Sequence, residues 1–275
     1  MNSKYINSIY EPSDFLNFSI EIAKNAGKLQ MKYFGNLSSI QKKSTTIDLL
    51  TEADLKSEEY IIAEIQNKYP SHSILSEESN SLDNQSEYTW VIDPLDGTTN
   101  FVHNLPIFSV SIGLMKNNET ICSVVYNPAV DKCFYAEKNK GAFLNNNQIN
   151  TTSCNTLSDS LLATGFPYSH DDRFDLSFSL FKDFYKQTRG IRRLGTASLD
   201  LCFVAMGRFD GFYEFELKPW DICAGILIVT EAGGIVTDWD GNKCPSTGKR
   251  ILASNKNIHK NMIKVLTKEE YRIFY

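Results

Sequence analysis

Between residues 13 and 34 apolar side chains recur at helical spacing. Phe15, Ile22, Ala26, Leu29 and Tyr33 stand at gaps of seven, four, three and four, which predicts one buried stripe and a stop at Gly35. A second helix is predicted over 53–69, with Leu55, Ile62, Ile65 and Tyr69 on its apolar face and Pro70 at its end. Beyond it the period shortens to that of strands. These are expected at 73–75, 90–92, 109–115, 121–126 and 132–137, with Asn117-Asn118 as a hairpin turn. The second half alternates: strand 161–164, helix 175–188, strand 192–194, helix 198–206, strand 211–214, helix 221–232, strands 234–238 and 251–254, helix 258–266. Gly233-Gly234 ends the most apolar of these helices and starts a strand. Two helices, an antiparallel meander and then an α/β half predict a layered α+β to α/β architecture. The division is expected near residue 150, where NNNQINTTSCNTLSDS is polar and turn-rich.

Composition narrows the class. The 275 residues, 42% of them hydrophobic, suffice for one large unit or two closely packed subdomains and exclude a disordered chain. With 28 Lys and Arg against 33 Asp and Glu the net charge is −5, which argues against nucleic acid and anionic membranes as partners. The N-terminus lacks the order of a secretory signal, and apolar runs such as 224–229 stop well short of the roughly 20 residues of a membrane span. Six cysteines without a CxxC pair read as reduced, mostly buried thiols of a cytoplasmic protein. Four histidines without HxxxH or HxxE spacing argue against zinc hydrolysis.

The candidate chemistry lies in four acidic segments. In 90–100, WVIDPLDGTTN, a short buried strand runs into Asp93, and Pro94 and Gly97 are expected to break the regular structure. Asp93 and Asp96 then stand three residues apart on a rigid turn. Two fixed carboxylates so close stay ionised at low cost only with a cation between them. Thr98-Thr99-Asn100 reads as a helix entry whose free N–H groups suit a phosphate. Alone, DPLDG is also an ordinary turn sequence. Three further segments join it: Ser76-Glu77-Glu78 after a strand, Trp220-Asp221 opening an apolar helix, and 47–54 with Asp54 opening the second helix. Taken singly, these read as a solvated loop and two helix caps.

Together and in this order, the four segments resemble the inositol monophosphatase family of metal-dependent sugar and inositol phosphatases. The resemblance runs from Lys43 to about Gly234, and WVIDPLDGTTNF and WDICAG match the two family signatures almost position by position. It implies a layered αβαβα sandwich of the inositol monophosphatase/fructose-1,6-bisphosphatase type. Its N-terminal α+β subdomain, 1–150, would carry most metal ligands, and its C-terminal α/β subdomain, 151–275, the substrate contacts and Asp221. Residue by residue, Glu77 matches a metal ligand, Asp93 a carboxylate bridging two metals, and the carbonyl of Leu95 a ligand of the first. Asp96 and Asp221 match ligands of the second metal. Thr98, paired with Asp54, matches the hydroxyl that orients the attacking water. Gly97 and Thr98 match the backbone N–H groups that hold phosphate. Gly195, Thr196, Ala197 and Glu214 match contacts to sugar or inositol hydroxyls, where Asp221 also borders the substrate. Lys43 matches a basic residue on a mobile loop near the metals.

The implied activity is Mg²⁺-dependent phosphomonoester hydrolysis, with two or three ions and Mn²⁺ as a substitute, since all-oxygen ligands select hard cations. One ion acidifies a water, another steadies the leaving ester oxygen, and attack on phosphorus is in line. No Ser, Cys or His nucleophile is required. DGTTNF resembles the inositol monophosphatase branch, and Glu214 suits a polyol because a carboxylate accepts hydroxyl hydrogen bonds. Myo-inositol 1-phosphate is therefore the expected substrate, with NADP or fructose 1,6-bisphosphate as alternatives and a regulatory binding protein of the same fold behind them. Two departures bear on this: the 215–219 stretch could reshape the pocket rim, and Ser76 stands where many relatives have Gly. The resemblance also implies a lithium-sensitive homodimer acting on a small molecule. His103 is expected to be structural, and Arg189, Arg192 and Arg193 read equally as a solvated strand edge or as contacts to a neighbouring subunit or a phosphate. The acidic balance acquires a purpose: Glu77, Asp93, Asp96 and Asp221 would collect the cations that bind an anionic ester.

Overall fold

The computed structural model describes residues 11–37, 40–42, 49–79, 81–167, 171, 173–244 and 249–274; Lys43 lies outside them. Helix α1 (Asp14–Tyr33) opens behind Ser13, whose hydroxyl accepts from the Leu16 N–H, and ends before Gly35 at φ +79°. The short antiparallel pair β1 (Ile40–Lys42) and β2 (Leu49–Thr51) leads to α2 (Glu52–Lys68). Then come β3 (Ser73–Ser76), β4 (Tyr88–Asp96), α3 (Thr98–Val102), β5 (Ser109–Lys116), β6 (Glu119–Asn127), β7 (Lys132–Glu137), β8 (Ala142–Leu144) and β9 (Asn147–Ile149). The second half runs β10 (Leu161–Thr164), α4 (Arg173–Tyr185), β11 (Gly190–Arg192), α5 (Ala197–Ala205), β12 (Gly211–Phe215), α6 (Pro219–Glu231), β13 (Ile235–Thr237), β14 (Arg250–Ser254) and α7 (His259–Leu266).

Strands β3 to β9 form one sheet in sequence order, parallel only between β3 and β4. The other sheet has the order β11-β10-β12-β14-β13, parallel from β11 to β12 and antiparallel beyond. Three apolar cores hold five layers together, the middle one lying on both faces of its helical layer. Leu16, Ile22, Ile61 and Ile65 of α1 and α2 pack on Trp90, Ile112 and Val124 of the first sheet. Leu201 of α5 and Ile228 of α6 fill the space between Val125 and Phe134 of the first sheet and Phe212 and Ile251 of the second. Leu180 of α4 and Met262 of α7 close the outer face of the second sheet. This is the expected αβαβα sandwich. The central layer is tight: a Cβ on Gly225 of α6 would overlap the Leu201 side chain of α5, and one on Gly113 of β5 would meet Cys223 Sγ at 2.6 Å.

Several sequence expectations shift. The strand placed at 192–194 lies at Gly190–Arg192, because Gly190 and Ile191 pair with Leu161 and Leu162. The hairpin of β8 and β9 was not anticipated, since its residues around Asn145 and Asn146 (φ 46° and 68°) are polar and read as a loop. On α1, Ile22 and Ala26 are buried, but Phe15, Leu29 and Tyr33 only flank the buried face, which includes Gln30. On α2 the difference is larger. Leu55 is exposed, and the buried face starts with Ala53, Asp54, Ser57 and Glu58 before it reaches Ile61 and Ile65. The first turns of α2 turn polar side chains inward, toward the ends of β3 and β4.

All six cysteines are free; Cys122, Cys133, Cys202 and Cys223 are buried and the other two half-buried. Among the described residues no helix is long and apolar enough to cross a membrane. The imidazole of His259 is buried at the start of α7, with Thr237 Oγ1 3.0 Å from Nε2 and Ser254 Oγ 2.7 Å from Nδ1. Burial pushes it down to about 4. The unfolded chain, titrating near 6.5, therefore binds the extra proton first. The stability tied to the neutral ring is present above pH ~6.5 and is lost as the pH falls toward about 4. In melting curves from pH 7 to pH 4, His259→Gln is expected to flatten the fall of Tm by on the order of 5 °C relative to wild type.

Candidate active site

Parallel pairing of β3 with β4 sets Ser76 opposite Ile92, so the next pair is Glu77 and Asp93, whose side chains share a hydrogen bond. Asp93 is 1% exposed. Its Oδ1 accepts from the Leu95 N–H at 3.0 Å, which fixes the carboxyl against its own backbone. The expected break at Pro94 does not occur. Strand β4 continues through Pro94 to Asp96 by a register shift against β5, in which Asp93 faces Ser111 and Asp96 faces Ser109. The Pro94 carbonyl is held from the other side by the buried Gln30, which donates at 2.6 Å. Gly97 follows at φ +92°, where a side chain would be strained and a Cβ would stand 3.0 Å from the Ile107 carbonyl.

Asp96 ties the first sheet to the start of α5. Its Oδ2 accepts from the Thr196 hydroxyl at 2.5 Å, the Ser198 N–H at 2.9 Å and the Ser198 hydroxyl at 2.5 Å, all at the start of α5. Ser109 Oγ, on β5, lies 2.8 Å from Ser198 Oγ. Ser198 escaped the sequence reading because nothing in its own neighbourhood marks it; its partner is 102 residues away. Thr196, expected to contact substrate, spends its hydroxyl on Asp96, and Ala197 is the buried first residue of α5. Asp221 sits in the first turn of α6, two residues after Pro219, and its Oδ2 accepts from the Lys218 N–H at 2.6 Å. The capping role is thus present, but Asp221 caps from inside the helix.

Asp54 likewise serves two ends. Its Oδ2 accepts from the Thr51 N–H (2.9 Å) and hydroxyl (2.5 Å) in a capping box, and its Oδ1 accepts from the Thr98 hydroxyl at 3.1 Å. The same hydroxyl lies 3.2 Å from the Leu95 carbonyl. Thr98 opens α3, which Asn100 anchors by donating to Ile107 and Leu194 carbonyls at 2.8 and 2.7 Å.

The second sheet contributes its own strand ends. Thr164 of β10 pairs with Tyr213 of β12, so Gly165 comes beside Glu214. A Cβ on Gly165 would overlap Oε1, Cδ and Oε2 of Glu214, so the carboxyl lies directly on that glycine. Gly195, at φ +82°, has the Arg193 guanidinium folded over it. Burial pushes Glu214 up to about 8, against the opposing charge of Arg193. Asp200 of α5 is buried, and burial together with Glu214 and Asp96 pushes its carboxyl well up; its Oδ1 has no hydrogen-bond partner among the described residues. Gly165, Arg193 and Asp200 gain their place only through tertiary structure. Arg189 instead pairs with Asp159 at the surface, Arg192 is exposed, and His103 is exposed at the end of α3.

The acidic groups influence one another strongly. Burial, then the charges of Glu77, Asp96 and Asp221, push Asp93 far above the ordinary carboxyl range. Burial also raises Asp96, opposed by its bonds to Ser198 and Thr196, and raises Asp221, opposed by the Lys218 N–H. Among the described residues no three such groups stand in finished metal-ligand geometry. The donor chemistry nevertheless fits a hard divalent cation: carboxyl and carbonyl oxygens alone, with every large influence on Asp93 raising it and a positive charge as the natural remedy.

A sequence signature of the inositol monophosphatase family matches residues 11–271. The chain is 41% identical over 255 residues to the putative Nus factor SuhB of Neisseria meningitidis serogroup B, covering 92% of this chain and 98% of that one. It is 40% identical over 262 residues to the inositol-1-monophosphatase of Synechocystis, covering 94% and 91%. The crystal structure of the extragenic suppressor protein suhB from Bartonella henselae superposes with a TM-score of 0.89 at 37% identity, covering 94% of this chain and all of that one.

Because only the mobile end of Glu214 occupies the space beside Gly165, Gly165→Ala is expected to fold with Tm within ~3 °C of wild type. The Glu214 carboxyl must retreat by about 1.5 Å to regain van der Waals separation, which a crystal structure of the variant reads directly.

Proposed function

The chain belongs to the inositol monophosphatase family and is a metal-dependent phosphatase; from that premise we propose that it hydrolyses myo-inositol 1-phosphate to inositol and phosphate, with Mg²⁺ as its metal. The observation that carries the reading is that Glu77, just past the end of β3, Asp96, at the end of β4, and Asp221, at the start of α6, all act on the buried Asp93. In this reading two or three Mg²⁺, or Mn²⁺ in their place, are held by Glu77, Asp93, the Leu95 carbonyl, Asp96 and Asp221. Bound there, the ions supply Lewis-acid stabilisation of phosphoryl charge and a more acidic water.

The remaining work falls to the chain. Thr98 donates its hydroxyl proton to Asp54, which leaves the oxygen lone pairs to accept from and orient a water for in-line attack. The Gly97 and Thr98 N–H groups face the phosphate. Glu214, on its glycine floor, takes the inositol hydroxyls together with the 195–197 turn, while Asp221 borders the ester. The two halves, 1–150 and 151–275, are read as subdomains with the site between their strand ends, and the enzyme as a lithium-sensitive cytoplasmic homodimer. The name of the Neisseria relative favours a second reading, a regulatory binding protein of the same fold. The complete set of carboxylates supports hydrolysis over it.

Phosphate release from myo-inositol 1-phosphate, fructose 1,6-bisphosphate and NADP, each with Mg²⁺ and with EDTA, decides among these. Inositol phosphate is expected to give the highest kcat/KM and EDTA to abolish turnover. A higher kcat/KM for another ester overturns the substrate, and no release from any ester overturns the activity. Asp93→Asn is expected to lower kcat by ~10²-fold or more, beyond the cost of losing an outer-shell partner.

A further inference from the structure

Glu58, one turn after Asp54 on α2, is 5% exposed, and no role in the reading above uses it. Its Oε1 accepts from the Ser76 hydroxyl, from the Glu78 N–H at 3.1 Å and from the Ser79 N–H at 3.2 Å. The three donors bracket Glu77: one lies on the residue before it and two on the residues after it. The backbone of Glu77 is thereby pinned on both sides at the point where the chain leaves β3. Three donors converging on one acceptor oxygen fix one another's positions by geometry, and any acceptor oxygen held at that point serves. Ser76 supplies one of those donors, which a glycine at that position could not. The geometry points to Glu58 as a positioning residue that sets where the Glu77 carboxylate stands beside Asp93, and hence how tightly the site takes its divalent cation.

This rests on Glu77 as a metal ligand. Asp54 and Glu58 then divide one helix face between them, the first fixing Thr98 and the second fixing Glu77. Outer-shell partners of this kind govern metal affinity because they hold a ligand in place without touching the ion.

Two conservative variants separate reach from charge. Glu58→Asp keeps the charge but withdraws the oxygen by one methylene, and Glu58→Gln keeps the oxygen in reach without the charge. In Mg²⁺ titrations followed by calorimetry, Glu58→Asp is expected to raise the dissociation constant ~10-fold or more, and Glu58→Gln to stay within ~3-fold of wild type. The Mg²⁺ concentration for half-maximal activity shifts in parallel, while kcat at saturating Mg²⁺ stays close to wild type. The assignment is overturned if Glu58→Asp binds Mg²⁺ like wild type, or if Glu58→Gln is as weak as Glu58→Asp. Glu77→Gln is the control for the underlying reading. If it leaves Mg²⁺ affinity unchanged, the ligand role of Glu77 fails, whatever the Glu58 variants do.

Discussion

Carboxyl groups brought together out of water repel one another and lose hydration, and the molecule is organised around that cost. Asp93 is almost wholly buried, with Glu77, Asp96 and Asp221 all acting on it. Groups under such strain move apart unless the backbone beneath them is rigid. Here each acid is fastened by donors that leave part of it facing its neighbours: the Leu95 N–H for Asp93, Thr196 and Ser198 for Asp96, and the Lys218 N–H for Asp221. Even the helix beneath follows this demand, since α2 turns Asp54, Ser57 and Glu58 inward before its apolar residues begin.

Topology supplies the rest. Most of the seven-stranded sheet is an antiparallel meander, but β3 and β4 are parallel, and so are β10 and β12 in the other sheet. Each parallel pair carries two strands in the same direction toward one edge of its sheet, the edge where ligand-binding groups gather in open α/β sheets. The first sheet thus presents acids and the second presents Glu214 on Gly165, with the start of α5 clasped to Asp96 between them. The site belongs to neither sheet alone.

The motifs that point to the family are legible because they are contiguous. DPLDG, Glu-Glu after a strand and Trp-Asp at a helix start each hold their meaning within a few residues, as do the layered fold and most elements. What was not legible depends on distant partners. Ser198 matters through Asp96, Gly165 through Glu214 and Glu58 through the 76–79 loop, and nothing local distinguishes them from an ordinary serine, glycine or helix-surface acid. Counting apolar residues misassigned α2 for a related reason. That count takes burial to be apolar, so a buried polar face is read as solvent-facing and Leu55 as core. Strand β11 slipped by two residues because its pairing with β10, more than its own composition, sets its ends.

The close packing of the α5–α6 layer on β5 at Gly113 reaches further than the core it fills. One sheet lies above this helical layer and the other below it, so the layer acts as a spacer whose thickness sets the span between the acids and Glu214. A glycine on β5 where Cys223 of α6 presses leaves no slack to take up, and a single added methyl there would push the helical layer off the first sheet. The distance between the facing edges of the two sheets is therefore written partly in side-chain volumes deep in the interior. Change in such a molecule can shift those edges without touching any residue on them.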